Sequence, residues 1–218
     1  MIPSLTKELW FPPAESASKN EDFEGLVAVN GDFSPERLAL AYKSGIFPWT
    51  EKPVISWWSP DPRGIFEISK FKPSTSLKKI IKSGMFEVTR DKDFDNVIRG
   101  CADRPDSWIT GGFIKGYSQL AEMGHAHSVE CWMEGRLVGG LYGVAFGGLF
   151  AGESMFHRES NASKVALASL MEHLKERGFV LFDVQLVTPH TQSMGAIEIS
   201  RKEYLSRLKK ALLLKGTF

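Results

Sequence analysis

The stretch HSVECWMEGRLVGGLYGVAFGGLFAGESMF, residues 127–156, decides the fold. Its apolar residues fall into three blocks, His127–Met133, Leu137–Phe146 and Leu149–Phe156, separated by Glu134-Gly135-Arg136 and by Gly147-Gly148. Short Gly-bearing breaks between apolar runs are hairpin signals, so the stretch predicts a three-stranded antiparallel meander. The pair Gly139-Gly140 inside the middle block predicts a bulge or the close approach of another backbone. A helix follows, capped by Asn161 or Ser160, running from Ala162 to Arg177 and ended by Gly178; Val165, Leu167, Leu170, Met171 and Leu174 supply its apolar stripe. Phe179 to Val184 then reads as a buried strand. Upstream, Thr110 opens a helix that takes in Phe113, Ile114, Tyr117, Leu120 and Ala121 before Gly124.

Further out the pattern stays regular back to Gly64. Ile65–Ile68 and Phe86–Thr89 read as strands, Ser76–Ser83 as a Lys-rich helix stopped by Gly84, and Asp93–Gly100 as another helix. Ser200 with Glu203 predicts a capping box for a C-terminal helix. Before Gly64 the texture changes to Pro, Gly and aromatics. One helix is clear there, with Ser34 as N-cap and Pro35 in its first turn, spanning Glu36–Tyr42 and ending at Gly45. The three tryptophans and three prolines between Trp49 and Arg63 predict a loop pressed against another surface. With 218 residues, one domain plus a small appendage is expected. The expected class is therefore α+β: a small N-terminal domain, residues 1–61, and a larger domain with a mixed, mainly antiparallel sheet, residues 62–218.

Charged residues at 24% and hydrophobic ones at 43% exclude a disordered, fibrous or coiled-coil chain. The net charge of +1 implies neither a nucleic-acid nor a membrane partner, but its distribution is uneven. Residues 1–40 hold three basic side chains against seven acidic ones, whereas 69–92 hold seven basic against two acidic, and the last twenty residues six against one. The two basic segments are either solvated helix faces or a polyanion-binding surface. Cys101 and Cys131 make neither a disulfide framework nor a zinc spacing, in keeping with a reduced compartment. No apolar run approaches the length of a signal peptide or membrane span, and a cytoplasmic protein is expected.

Polar groups at strand ends are the candidates for chemistry. Asp183 and Gln185 close an otherwise apolar strand, where open sheets expose functional groups. Asp183 there either draws a proton from an amine nucleophile, directly or through the Gln185 amide, or is a polar strand end capping a neighbouring helix. Glu153 sits among small and apolar residues in Gly152-Glu153-Ser154-Met155-Phe156, and a buried carboxylate needs an internal Arg or Lys or a ligand ammonium. His125 and His127 lack a third metal ligand with sensible spacing, so no metal site is expected. Phosphate-loop and dinucleotide fingerprints are absent, as is a Ser or Cys nucleophile signature.

Several segments together resemble one family, the leucyl/phenylalanyl-tRNA protein transferases. They include Phe11-Pro12-Pro13, Gly31-Asp32, Gly45-Ile46-Phe47-Pro48-Trp49, Trp57-Trp58-Ser59-Pro60-Asp61-Pro62-Arg63, Trp108-Ile109-Thr110, Gly152-Glu153-Ser154-Met155-Phe156, Ala162-Ser163-Lys164 and Phe182-Asp183-Val184-Gln185. The likeness is ordered and covers nearly the whole chain. It implies a GNAT-like acyltransferase fold for the larger domain, to which the order helix, meander, helix, strand is also suited. It implies transfer of leucine or phenylalanine from aminoacyl-tRNA to the α-amine of proteins beginning with Arg or Lys, marking them for N-degron proteolysis. The ester is already activated, so no cofactor is needed, and catalysis reduces to placing the amine, removing a proton and stabilising an oxyanion.

Carried over by position, the resemblance puts Asp183 and Gln185 at the proton-handling centre and Glu153 beside the reacting groups. It sets Tyr42, Trp49, Trp108 and Tyr117 around the terminal adenosine and pocket mouth. Leu141, Phe150, Ser154, Leu167, Leu170 and Phe182 fall in the side-chain pocket. Lys70, Lys72, Lys78, Lys79 and Lys82, with Arg201, Lys202, Arg207, Lys209 and Lys210, are the candidates for tRNA backbone contacts. A monomer is the expected state. Asn30 stands where the family commonly has glycine, Val184 where it has cysteine, and His157 is a further local change.

Overall fold

A computed structural model describes residues 2–51, 54–105 and 107–218. In chain order the strands are β1 (Ser4–Leu5), β2 (Leu26–Asn30), β3 (Phe47–Glu51), β4 (Val54–Trp58), β5 (Arg63–Phe66), β6 (Glu87–Arg90), β7 (Ala126–Met133), β8 (Arg136–Phe146), β9 (Leu149–His157), β10 (Leu181–Gln185) and β11 (Ile197–Ile199). The helices are α1 (Pro35–Lys43), α2 (Thr75–Lys82), α3 (Phe94–Ala102), α4 (Gly111–Glu122), α5 (Ala162–Glu176), α6 (Pro189–Ser193) and α7 (Arg201–Ala211). The meander β7-β8-β9 lies where its turn residues place it, and α4, α5 and β10 flank it as the periodicity predicts.

Two sheets result. Strands β1–β4 form a four-stranded sheet in the order β1-β2-β4-β3, and β5–β11 a seven-stranded one in the order β11-β5-β10-β9-β8-β7-β6. All pairs in the larger sheet are antiparallel except β9 with β10, which makes it mixed and mainly antiparallel. That one parallel pair is also short. It joins Leu149–Ala151 to Leu181–Asp183, after which β9 stays on β8 as far as His157 while β10 leans toward β5. The sheet therefore splits open just beyond Ala151 and Asp183.

The loop expected around the tryptophans is instead a β-hairpin. Trp57 and Trp58 sit on opposite faces of β4; Trp57 is fully buried, donates Nε1–H to the Asn30 carbonyl at 2.7 Å and meets the Phe11 ring edge-on at 4.8 Å. Pro48 and the adjacent tryptophans hide the two-residue alternation that would otherwise mark these strands. Asn30 has φ of 64°, a left-handed conformation that glycine or asparagine adopts, which accounts for its standing at a glycine position. The Ser34 hydroxyl bonds Asp32 at 2.5 Å rather than capping α1. At α7, Ser200 caps the Glu203 amide at 3.2 Å, but the Glu203 carboxylate pairs with Arg207, so only half of the capping box forms.

The N-terminal sheet is not insulated from the rest. Leu38, Tyr42, Ile46 and Trp57 share one apolar cluster with Val97, Ile98, Phe113, Tyr117, Leu120 and Tyr142 from α3, α4 and β8. A second cluster lies between α5 and the opposite face of the larger sheet, built from Leu141, Phe150, Leu167, Leu170, Met171 and Phe182 among others.

Candidate active site

Where β9 and β10 part, a cavity of about 250 Å³ opens between Glu153, Ser154 and Met155 on one strand and Val184, Gln185 and Leu186 on the other. Its apolar walls are Phe66, Leu141, Leu167 and Phe182, and its rim carries Trp49, Trp108, Arg104, Thr188, His190 and Thr191. The walls come from both sides of the split, so the cavity follows directly from the short parallel pairing.

At the closed end of the split lies Asp183, fully buried. Its carboxylate receives Arg63 Nε at 2.9 Å and Arg63 Nη2 at 2.6 Å, the Tyr204 hydroxyl at 2.8 Å and the Gln185 backbone amide at 2.9 Å. Four donors occupy the four lone-pair directions of a carboxylate, and two of them form a bidentate guanidinium fork. Burial opposes the charged guanidinium of Arg63, but the Asp183 carboxylate outweighs it and holds the group above its usual range. Arg63 also stacks between Phe47 and Tyr204, 4.7 and 4.3 Å from the ring centres.

The bond from Asp183 to the Gln185 amide coincides with a break in register between β10 and β5. Gln185 has φ of 62°, sparsely populated for a residue with a side chain, and such strain persists only where neighbours enforce it. The same bulge brings the backbone of Leu186 over Gly64, where a Cβ would come within 2.9 Å of the Leu186 carbonyl carbon. Turned by this kink, the Gln185 side chain donates Nε2–H to Glu153 Oε1 at 3.1 Å. Its own amide oxygen has no partner within the protein among the described residues.

Glu153 is half-buried on β9. Tyr117 donates its hydroxyl to Glu153 Oε2 at 3.3 Å, and the Tyr117 and Tyr42 hydroxyls bond each other behind it. Among the described residues no Arg or Lys pairs with Glu153. Desolvation pushes its carboxyl up to about 8, against the lowering effect of the Tyr42 and Tyr117 hydroxyls. A group with that value near neutral pH is poised for proton transfer.

The residues singled out in the sequence divide accordingly. Gln185, Glu153, Ser154, Leu141, Leu167 and Phe182 line the cavity, Asp183 is buried behind it, and Trp49 and Trp108 stack on each other at its rim, 5.3 Å apart and 23° from parallel. Phe150 and Leu170 lie deeper in the core, outside the lining. Tyr42 and Tyr117 stand behind Glu153 rather than at the mouth. Lys70, Lys72, Lys78, Lys79 and Lys82 are exposed, and Lys72, Lys78 and Lys82 border one groove with Lys175. Arg201 is buried, with its guanidinium on the Ser59 carbonyl at 2.6 Å, and Arg207 is paired with Glu67 at 2.8 Å and Glu203 at 2.6 Å. These two arginines thus tie the C-terminal helix to the rest of the chain, and of the five basic candidates in that segment only Lys202, Lys209 and Lys210 are exposed. His127 bonds Asp91 at 2.8 Å, and no group of three or more metal-binding side chains occurs among the described residues. Sequence reasoning missed the roles of Arg63 and Tyr204, whose partner Asp183 is remote in the chain, and the rim residues Arg104 and His190.

A split parallel pair of strands thus frames an apolar cavity with an amide–carboxyl pair at its mouth. Among solved structures a remote likeness is a GCN5-related N-acetyltransferase-like protein from Streptococcus suis, at 14% identity and a TM-score of 0.39 over 64% of this chain and 57% of that one. Family models describe the particular kind: leucyl/phenylalanyl-tRNA protein transferase matches residues 65–209, and the N-terminal domain of the same transferase matches 31–61. The enzyme of that name from Syntrophobacter fumaroxidans is 53% identical over 94% of this chain and 88% of its own length. That from Syntrophotalea carbinolica is 51% identical over 96% and 92%. The chain belongs to the leucyl/phenylalanyl-tRNA protein transferase family and is an aminoacyltransferase.

Proposed function

We propose that the chain moves leucine or phenylalanine from tRNA onto proteins beginning with Arg or Lys, with Gln185 and Glu153 handling the proton and Asp183 positioning Gln185. The observation that carries this reading is the 3.1 Å bond from Gln185 to Glu153 at the mouth of an apolar cavity. The aminoacyl side chain fills the cavity against Leu141, Leu167 and Phe182. The acceptor amine donates one N–H to the free Gln185 oxygen, and its lone pair attacks the ester carbonyl. As the C–N bond forms and the bond to the ribose oxygen breaks, the amine proton passes by way of the Glu153 carboxylate to the departing 3′ oxygen. Asp183, with four donors already in place, acts through the Gln185 backbone as a positioning residue.

The Trp49–Trp108 pair suits the terminal adenine, whose stacking on an indole is worth about 1–3 kcal/mol. Trp108→Ala is expected to raise the KM for aminoacyl-tRNA roughly tenfold or more with kcat little changed, read in steady-state transfer assays. The groove bordered by Lys72, Lys78 and Lys82 suits the tRNA backbone. Reversing these three charges to Glu is expected to weaken tRNA binding and flatten its dependence on salt, in titrations across ionic strength. No helix among the described residues is long and apolar enough to cross a membrane. A cytoplasmic monomer, divided at 61/62 and feeding N-degron proteolysis, completes the proposal. The test is transfer of radiolabelled leucine or phenylalanine from charged tRNA to peptides differing only in their first residue. Product with Arg or Lys first and none with Ala first is the expected result; equal transfer to all three would refute the acceptor rule.

A further inference from the structure

Tyr142 lines the reaction cavity beside Glu153 and Ser154 and is fully buried, and its phenolic oxygen has no hydrogen-bond partner among the described residues. A buried hydroxyl left unmet is costly, and on the wall of a reaction cavity that cost is recovered when a substrate atom completes the bond. We infer that Tyr142 donates to the 2′-hydroxyl of the terminal ribose of the aminoacyl-tRNA, and so requires a ribonucleotide at the ester-bearing end. The inference rests on the transferase reading above and deepens it.

Strand alternation sets which part of the substrate this hydroxyl meets. Neighbours on a strand point to opposite faces of the sheet. Leu141 packs with Leu167 of α5 in the cluster on one face, and Tyr142 packs with Phe113 and Tyr117 of α4 in the cluster on the other. Trp108 at the cavity rim packs against the α4 cluster. A leucyl or phenylalanyl side chain held by Leu141 and Leu167 therefore lies on the α5 side, and an adenine stacked on Trp108 lies on the α4 side. The ribose that joins the two passes through the split, next to Tyr142.

A slip in register arranges the polar groups around it. Tyr142 is the cross-strand partner of Ser154, whereas Gly143 pairs with Gly152, so Glu153 is the extra residue of a bulge in β9. Glu153 meets Tyr117 of α4, and the Ser154 side chain bonds the thiol of Cys101 on α3, so both stand on the face that carries Tyr142. The Tyr142 ring is clamped edge-on between Tyr117 and Phe94, with centroids 5.9 and 5.8 Å away. Burial, and after it the Glu153 carboxylate, push the phenol well above its usual range, so it keeps its proton and donates. The 2′-hydroxyl sits on the carbon next to the one that bears the 3′ oxygen. A ribose with that oxygen at Glu153 thus presents its 2′-hydroxyl, a group that both donates and accepts, to the neighbouring side chain on the same face.

The experiment is a cycle of two enzymes and two donors. Wild type and Tyr142→Phe are each given tRNA ending in adenosine or in 2′-deoxyadenosine, both chemically acylated with phenylalanine, and one acceptor peptide beginning with Arg. The two esters differ in intrinsic reactivity, but that difference is common to both enzymes and cancels when their kcat/KM ratios are compared. Tyr142→Phe is expected to lower kcat/KM about tenfold with the ribose donor and less than twofold with the deoxyribose donor. Removing an unpaired hydroxyl leaves the fold at least as stable, so Tm is expected to hold or rise. A ribose preference that is equal in the two enzymes, whatever happens to the overall rate, would overturn the assignment and leave the transferase reading intact. A fall in Tm of several degrees would show that the hydroxyl bonds within the protein and would overturn it too. No transfer by wild type from either donor would overturn the transferase reading itself.

Discussion

Replacing Arg63 by alanine is expected to cost the protein about 3–5 kcal/mol, because it leaves the buried Asp183 carboxylate without its counter-charge. In a chain of this size that corresponds to a fall of roughly 10 °C in Tm. The double variant Arg63→Met with Asp183→Leu removes both charges and is expected to regain most of the lost stability, as apolar pairs of matched volume do. Its activity is not expected to return. Without the carboxylate nothing holds the Gln185 amide at the register break, the left-handed backbone relaxes, and the side chain loses its bond to Glu153. Urea unfolding and single-turnover transfer, run side by side, separate the two effects. A single variant within about 1 kcal/mol of wild type would show that the ion pair does not hold the site.

The second large effect concerns pH. With Glu153 at about 8, its carboxylate is the minor form at pH 7, and the acceptor α-amine, near 8 in water, is also largely protonated. Both must lose a proton before attack, so log kcat/KM is expected to rise with a slope of two below pH 7 and to level off above about 8. Glu153→Gln is expected to halve that slope as well as to lower the plateau, since only the amine then titrates. Stability moves in the opposite sense. The folded-state value lies above the unfolded one, so the native state binds the extra proton between about 4.5 and 8. Stability from this group is full below the lower value, is lost as pH rises through about 8, and is flat beyond. The glutamine variant is expected to lack that decline in unfolding titrations between pH 5 and 9.

Legibility in the sequence follows the range of the interaction. The meander and α5 are readable because turn residues and a helical stripe are local signals, and Asp183 stands out as a charge ending an apolar strand. The hairpin of β3 and β4 is not readable, because Pro48 and the tandem tryptophans blur an alternation only five residues long. Nor is the role of Arg63, which lies 120 residues from the carboxylate it meets. Among the basic candidates composition alone cannot separate Lys78, which faces solvent, from Arg201, which does not.

The apolar cluster that joins α1, β3 and β4 to α3, α4 and β8 has a consequence for cooperativity. A boundary between the two sheets can be drawn through the topology near residue 61, but no boundary runs through the packing. Separating the sheets would expose Trp57, Tyr117 and Phe113 at once, so the two sheets are expected to melt in a single transition. The N-terminal sheet is therefore not a detachable module: any change that loosens β4 also loosens the helix whose tyrosine supports Glu153.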